Sequence, residues 1–171
     1  MGITKGIEAG DHYWLARYIV KKVGEYYGVD MDFQPKPVKG DWNGSGCHTN
    51  FSTNSTREEG GYRYIIDHCM PKMDAKHKEH IAIYGDGNEQ RLSGFHETSS
   101  IHKFSYGSRS RACSVRIPVG TELEGKGYYE DRRPASNMDA YLVTASIVDT
   151  VCLDSKYIKE LISALEKAKE N

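Results

Sequence analysis

The sequence predicts an α+β domain, an antiparallel or mixed sheet of short strands with flanking helices. Three observations point there. Stretches near both ends carry apolar residues at three- and four-residue steps, the period of a helix. Between them, several short segments alternate apolar and polar residues, the period of a strand. Clusters rich in glycine, proline and asparagine separate those segments. At 171 residues the chain is long enough for one domain with one core. It shows no internal repeat, low-complexity tract or linker, so 1–171 reads as a single unit.

The first element is a helix from Asp11 to Tyr27, with Trp14, Leu15, Tyr18, Ile19 and Val23 as its stripe. Asp11 is its expected N-cap and Gly28 its stop. Val29–Gln34 reads as a short strand ended by Pro35-Lys36-Pro37, because proline cannot donate to a ladder. A second strand is expected over Cys47–Thr53. Thr56 and Glu59 have the spacing of a capping box. They precede a helical stripe of Tyr62, Ile65, Ile66, Cys69, Met70 and Met73 running towards His77. Pro71 lies inside that stripe, and an interior proline costs a helix about 3 kcal/mol, so a kink or break is expected.

His80–Tyr84 and Gln90–Phe95 read as short strands, and 96–107 as a loop. Arg111–Pro118 alternates, with Ala112, Ser114 and Arg116 on one face and Cys113, Val115 and Ile117 on the other. Val119–Lys126 reads as a loop, and a further strand is expected to end near Arg133. Ser136 or Asn137 is the expected cap of a helix to Cys152. A last amphipathic helix, within 155–171, carries Ile158, Leu161, Ile162 and Leu165 as its stripe.

Composition narrows the function classes. Hydrophobic residues make 38% and charged residues 27%, as in soluble globular proteins. A net charge of −1 provides no field to recruit nucleic acid or a membrane surface. No apolar run approaches the ~18–20 residues of a membrane span, and the start lacks a signal-like apolar stretch. Cys47, Cys69, Cys113 and Cys152 form no CxxC pair and read as reduced thiols of a cytoplasmic protein.

The stretch 40–52 holds Gly40, Gly44 and Gly46 among small polar residues, which lets the backbone approach a ligand closely. On a strand, His48, Asn50 and Ser52 would share one face. An imidazole, an amide and a hydroxyl in a row suit a metal ion and a phosphorylated ligand. A glycine-rich turn followed by a polar-faced edge strand explains the same residues. Arg91, Arg111, Arg116, Arg132 and Arg133 fall in glycine-punctuated segments, and their planar forks match carboxylate and phosphate oxygens. His48 and Glu130 are the best metal-ligand pair, suited to Mg²⁺ or Mn²⁺. Glu130 could instead form a surface ion pair with Arg132 or Arg133. Glu97 sits on a loop that could close over a site and handle a proton, or could be an ordinary polar loop. His12, His68, His77, His80 and His102 read as structural or solvent-facing.

Four ordered motifs carry a resemblance. They are Gly40-Asp-Trp-Asn-Gly-Ser-Gly-Cys-His-Thr-Asn-Phe-Ser-Thr53, Arg91-Leu-Ser-Gly-Phe-His-Glu-Thr-Ser99, Arg111-Ala-Cys-Ser-Val-Arg-Ile-Pro118 and Gly127-Tyr-Tyr-Glu-Asp-Arg-Arg-Pro-Ala-Ser-Asn137. Together they resemble glutamine synthetase of the eukaryotic type, over roughly Gly6 to Leu153. The resemblance implies transfer of the ATP γ-phosphoryl group to the glutamate side chain, then displacement of phosphate by ammonia. It implies that Asn43, Gly44, Arg91 and Arg132 hold glutamate and that His48 and Glu130 bind the divalent ions. Asn50 and Ser52 would touch nucleotide, Arg111 and Arg116 the transferring phosphate, and Glu97 would be the catalytic flap carboxylate.

The resemblance is partial. In the family the catalytic domain begins well before the matching segment, and its other metal-binding glutamates lie upstream of Gly6-Ile7-Glu8. Its sites sit between neighbouring subunits. Ser110, Tyr129, Ala140 and Pro71 depart from the usual residues without touching the implied ligands. The chain therefore reads as part of a catalytic domain, an incomplete enzyme that would work as a homo-oligomer or beside a complementing subunit. A non-catalytic relative, kept for nucleotide binding or assembly, is the alternative. A guanidine-type phosphotransferase is disfavoured, because no cysteine stands in a suitable motif. Uncovered apolar surface is expected around Tyr13, Trp14 and the last helix.

Overall fold

The computed structural model describes residues 1–169. Its elements are α1 (Glu8–Tyr27), β1 (Thr49–Phe51), α2 (Asn54–Arg57), α3 (Gly61–Tyr64), α4 (Met70–Ala75), α5 (His77–Ile83), β2 (Tyr106–Ser108), β3 (Val115–Ile117), α6 (Val119–Glu124), β4 (Tyr129–Asp131), α7 (Ala140–Val148) and α8 (Tyr157–Lys169). One mixed sheet runs β1-β4-β3-β2, with β2 parallel to β3 and the other pairs antiparallel. The α+β expectation holds.

The register matters for the site. Asn50 of β1 lies opposite Glu130 of β4, and Glu130 opposite Arg116 of β3. In the next row Thr49 lies opposite Asp131, and Asp131 opposite Val115. Because neighbours on a strand point to opposite faces, the Asn50–Glu130–Arg116 row faces one way and the Asp131 row the other. Val115, Ile117 and Tyr129 are fully buried and pack with Ile65, Met70, Met73, Val143 and Ile147 in the core.

Several elements differ from expectation, each for a local reason. Val29–Gln34 is no strand. Val29 N–H bonds Gly24 O at 2.9 Å to close α1, and an Asp32 side-chain turn takes the Gln34 N–H at 2.7 Å. Segment 80–84 is helical, because His77, His80 and Tyr84 must share a buried face. Gln90–Phe95 forms a 3₁₀ turn (Asn88–Gln90) and an isolated Ser93–Ser100 bridge. Segment 119–124 is the helix α6, halted by Gly125 at φ 68°. The strand expected over Cys47–Thr53 narrows to β1, and that over Arg111–Pro118 to β3.

Helix starts were displaced as well. α1 begins at Glu8 rather than Asp11, while Gly28 at φ 67° does end it. The capping box is Thr53 with Thr56, not Thr56 with Glu59. Asp139 caps α7 by accepting from the Tyr141 and Leu142 N–H groups. Pro71 does not break its helix. The π turn over Ile65–Cys69 runs directly into α4, so Pro71 lies inside a continuous helical stretch, just after the widened turn where the backbone already departs from the α ladder.

Candidate functional site

β4 and the residues after it build the site, because every position from Glu130 to Arg133 is charged. Alternation sorts these charges onto two faces. Glu130 and Arg132 look towards β1 and the loops. Asp131 and Arg133 look into the core.

On the outer face, Glu130 is 5% exposed and meets three groups. Its Oε1 lies 2.9 Å from His48 Nδ1 and 3.2 Å from Arg132 Nη1. Its Oε2 lies 2.5 Å from Arg116 Nε. That last approach lacks hydrogen-bond geometry, so Glu130 Oε2 and Arg116 Nε are buried polar atoms without a hydrogen-bond partner among the described residues. The two charges face one another directly, and Glu130 Oε2 keeps lone pairs that no hydrogen bond uses. Burial first, and the Arg132 charge second, push the His48 imidazole below its usual range against the pull of Glu130. His48 is therefore neutral at pH 7, the form that ligates metals.

These donors fit a shared ion better than an enclosed one. Among the described residues no three His, Cys, Asp or Glu side chains form a group that could hold a metal ion. Mg²⁺ and Mn²⁺ are commonly held by one or two side chains with phosphate oxygens completing the shell. His48 and Glu130 fit that pattern, and Arg116 and Arg132 would face the phosphates.

The flap residues join the same cluster. Arg132 Nη2 donates to the Glu97 carbonyl at 3.2 Å, and Arg111 Nη1 pairs with the Glu97 carboxylate at 3.3 Å. His96 Nε2 lies 3.3 Å from Asp41 Oδ1, which ties the flap to the glycine-rich loop. His96 and Glu97 both adopt positive φ, 54° and 59°, which costs about 1 kcal/mol or more at each non-glycine residue. This loop is thus held in a strained shape by the Arg111–Glu97 ion pair and the His96–Asp41 contact.

Arg91 stands behind the cluster, 5% exposed. It donates to the carbonyls of Arg132 (2.7 Å) and Arg133 (3.1 Å) and to Asn88 Oδ1 (3.1 Å). The loop packs directly on it: a Cβ at Gly46 would sit 2.3 Å from Arg91 Nη2, and one at Gly44 2.6 Å from Arg91 Cγ. Arg91 therefore locks β4 to the glycine loop. Gly46→Ala is expected to cost about 1–3 kcal/mol in a urea melt, since the guanidinium it strikes is bound on three sides. A change below about 0.5 kcal/mol, the range of an inert surface site, would count against this lock.

The remaining expected residues lie further out. Asn50 is exposed beside Glu130, and Asn43 is exposed on the loop. Ser52 Oγ accepts from Arg57 Nη1 at 2.7 Å, at the far end of β1. The structure thus joins His48, Glu130, Arg116, Arg132, Glu97, Arg111 and Arg91, and leaves Asn43 and Ser52 outside their contacts. Glu130 makes a buried network and not a surface ion pair.

The inner face holds Asp131, which the sequence reading passed over, and Arg133, which was expected among the phosphate- and carboxylate-binding arginines and is instead fully buried in the core. Arg133 and Asp131 are both fully buried, and Arg133 Nη2 meets Asp131 Oδ2 at 2.8 Å. Arg133 also donates to His77 Nδ1 and His80 Nδ1, each at 2.9 Å. Both imidazoles must then carry their proton on Nε2, which donates to the Ile101 carbonyl and to Thr150 Oγ1, each at 2.8 Å. Tyr84 O–H donates to Asp131 at 2.9 Å. Burial raises the Asp131 pKa, but the Arg133 charge and hydrogen bonds outweigh it and hold the carboxylate low. The signal was present: charges two apart on a strand share a face, and on a buried face they must pair.

This network makes stability depend on pH. Burial, then the Arg133 charge, pulls His80 down to about 3. Burial likewise lowers His77, with the Arg133 charge adding to it and the Ile101 bond opposing. An unfolded histidine titrates near 6.5, so between about pH 6.5 and 3 the unfolded chain binds more protons. Their contribution is complete above pH 6.5 and is lost as pH falls through that window. Each imidazole steepens the loss by up to about 1.4 kcal/mol per pH unit. Urea melts between pH 8 and 4 test this, and unchanged stability from pH 7 to 4.5 would contradict it.

Comparison with known proteins places this geometry. The family "Glutamine synthetase, catalytic domain" matches residues 1–61. The chain is 56% identical over 153 residues to a glutamine synthetase cytosolic isozyme of Daucus carota, covering 90% of this chain and 43% of that protein. It is 55% identical over 152 residues to glutamine synthetase of Emericella nidulans, covering 89% of this chain and 42% of the relative. This chain belongs to the glutamine synthetase family. A chloroplastic glutamine synthetase of Oryza sativa subsp. japonica matches 98% of the chain at 50% identity. The chain spans less than half the length of the glutamine synthetases it matches, 39–43% of these three. All the residues of the cluster, from His48 to Arg132, lie within the stretch resembling glutamine synthetase.

Proposed function

We propose that the chain takes part in ATP-dependent ligation of ammonia to glutamate, through a γ-glutamyl phosphate intermediate, and that its residues form one wall of that site. The observation that carries this reading is the His48–Glu130–Arg116–Arg132 cluster, where three buried polar atoms (Glu130 Oε2, Arg116 Nε and Arg132 Nε) make no hydrogen bond, in a chain over half identical to glutamine synthetases.

His48 and Glu130 would hold Mg²⁺ or Mn²⁺, which would supply positive charge to offset the phosphates of ATP. Asn50 and Ser52 contact the nucleotide. Asn43, Gly44 and Arg132 bind glutamate, and Arg91 contributes there chiefly by holding the Arg132 backbone in place. The glutamate carboxylate oxygen attacks the γ-phosphorus, and ADP leaves. Arg111 and Arg116 meet the charge that develops on the transferring phosphoryl oxygens. Glu97 closes over the acyl phosphate, excludes water and takes the proton that ammonium releases. Ammonia then attacks the acyl carbon and phosphate departs.

Partners follow from this reading: glutamate, ammonia and ATP as substrates, and further glutamine synthetase polypeptide as a subunit or complement. The relatives include cytosolic and chloroplastic isozymes. Four free thiols fit a reducing, cytoplasmic setting. Among the described residues no helix is long and apolar enough to cross a membrane.

A second reading, a relative kept for nucleotide binding or assembly, draws on the missing third metal donor among the described residues. A chimera separates the two: the Daucus carota cytosolic isozyme with its matched segment replaced by this chain. Hydroxylamine-trapped γ-glutamyl transfer that disappears in Glu97→Ala supports ligation. A folded chimera that binds Mn²⁺ and ATP without turnover favours the second reading.

A further inference from the structure

The end of the glycine-rich loop rests on a short strip of backbone. Past β4, residues 134–136 run beside residues 45–47. Cys47 N–H donates to the Pro134 carbonyl at 2.9 Å, Gly46 bridges Ala135, and Ser136 N–H donates to the Ser45 carbonyl at 3.1 Å. The strip has its own supports. Ala135 N–H donates to the Tyr84 carbonyl at 2.8 Å, and Ser136 Oγ to the Phe33 carbonyl at 2.7 Å. Ser45 N–H donates to the Pro35 carbonyl at 2.8 Å, which pins the loop between the strip and segment 33–35.

One further support comes from α1. Tyr13 O–H donates to the Ser136 carbonyl at 2.6 Å, a contact across 123 positions of chain. The Tyr13 ring packs against the core, and the Arg17 guanidinium lies 5.8 Å from its centroid and 4.5 Å from that of Phe33. Burial first, then the neighbouring Cys47 thiol, raises the Tyr13 hydroxyl well above its usual range, so it is a neutral donor at pH 7. Ser136 thus has both backbone groups committed, its N–H to the loop and its carbonyl to Tyr13. A buried carbonyl that loses its donor turns to find another, and here that turn moves the peptide on which Ser45 rests. Gly44, on the glutamate side, and His48, on the metal side, flank the supported stretch.

We propose that Tyr13 is a positioning residue for the glutamate-binding loop, its hydroxyl fixing Ser136 and through it residues 43–46. The effect on glutamate rests on the ligase reading. The effect on the loop does not.

Tyr13→Phe keeps the ring and removes the hydroxyl. In the isolated chain, amide hydrogen exchange read by NMR quickens about 3- to 10-fold at Ser45 and Cys47, the worth of one neutral hydrogen bond. Val143, in the buried face of α7, exchanges as in the parent. Tyr141→Phe is the control. Its hydroxyl also ties α7 to α1, through Asp11 at 2.5 Å, but touches no part of the loop, and its loss leaves Ser45 and Cys47 unchanged. In the chimera described above, Tyr13→Phe raises the KM for glutamate about 3- to 10-fold and keeps kcat within about 2-fold. Tyr141→Phe moves neither. Unchanged exchange at Ser45 and Cys47 in Tyr13→Phe would overturn the proposal, as would quickening shared by Val143, which reports a general loss of stability. A loosened loop with an unchanged KM, or equal effects from Tyr141→Phe, would overturn it too. A parent chimera without γ-glutamyl transfer removes the ligase reading, and exchange in the isolated chain still decides whether Tyr13 positions the loop.

Discussion

Arg133→Met lowers the stability of this protein by about 3–5 kcal/mol, the cost of stranding a buried charge. Asp131 has no access to solvent, and Arg133 supplies most of its hydrogen bonds: Nε at 2.9 Å, Nη2 at 2.8 Å and the backbone N–H at 3.1 Å. Without the guanidinium, His77 Nδ1 and His80 Nδ1 lose their donors as well. Domains of this kind total about 5–15 kcal/mol, so the variant stands near the limit of folding. The double replacement Asp131→Leu with Arg133→Met removes both charges and is expected to recover part of the loss. Urea melts of the single and double variants, read at pH 7, measure the coupling. A double variant no more stable than the single would mean that the network contributes by shape and not by charge pairing.

The second large effect falls on the other face of the same strand. Glu130→Gln keeps the volume and one acceptor oxygen but removes the charge that Arg116, Arg132 and His48 share. With Glu130 in its proposed role as a metal donor, the replacement weakens Mn²⁺-dependent ATP binding by about 100-fold or more, since even outer partners are worth about 10–100-fold. Arg116 and Arg132 then face one another without a counter-charge, at a cost of about 1–3 kcal/mol in stability. The two effects separate by method: calorimetry with Mn²⁺ and ATP reads the first, and denaturation without ligand reads the second. A variant that binds ATP equally well with and without Mn²⁺ would assign the nucleotide to the arginines alone.

Much of this was legible in the sequence because it is local. Gly28 ends α1, and the apolar spacing of α8 places Ile158 in the core. The alternation of 113–117 gives β3 its buried Val115 and Ile117 and its outward Arg116. The family resemblance implied a common site for His48, Arg116, Glu130 and Arg132, and the structure brings these four side chains into contact around Glu130. The strand expected over His80–Tyr84 failed because local periodicity cannot register a distant demand. Only Arg133, more than 50 positions away, makes His77 and His80 face one way. The loop expected over 119–126 failed for a related reason. Gly125 stops a helix there, and a glycine cluster reads equally as loop or C-cap.

Arg91 is the instructive intermediate case. Its motif points to a ligand, whereas its contacts are the Arg132 and Arg133 carbonyls and the underside of Gly44 and Gly46. Sequence carries residue type but not which of five donors is already used. α1 shows the converse. The helix was read correctly but its packed face was not: Trp14, Leu15, Tyr18, Ile19 and Val23 are all exposed, and Gly10, Tyr13 and Arg17 make the contacts.

The central claim is that His48 and Glu130 present a metal–nucleotide site. Isothermal calorimetry of the chain with ATP, in the presence and absence of Mn²⁺, tests it most directly. The expected result is ATP binding that requires Mn²⁺ and is lost in both Glu130→Gln and His48→Ala, with circular dichroism unchanged. Mn²⁺-dependent ATP binding that survives both replacements, or no ATP binding by the folded parent, would contradict it.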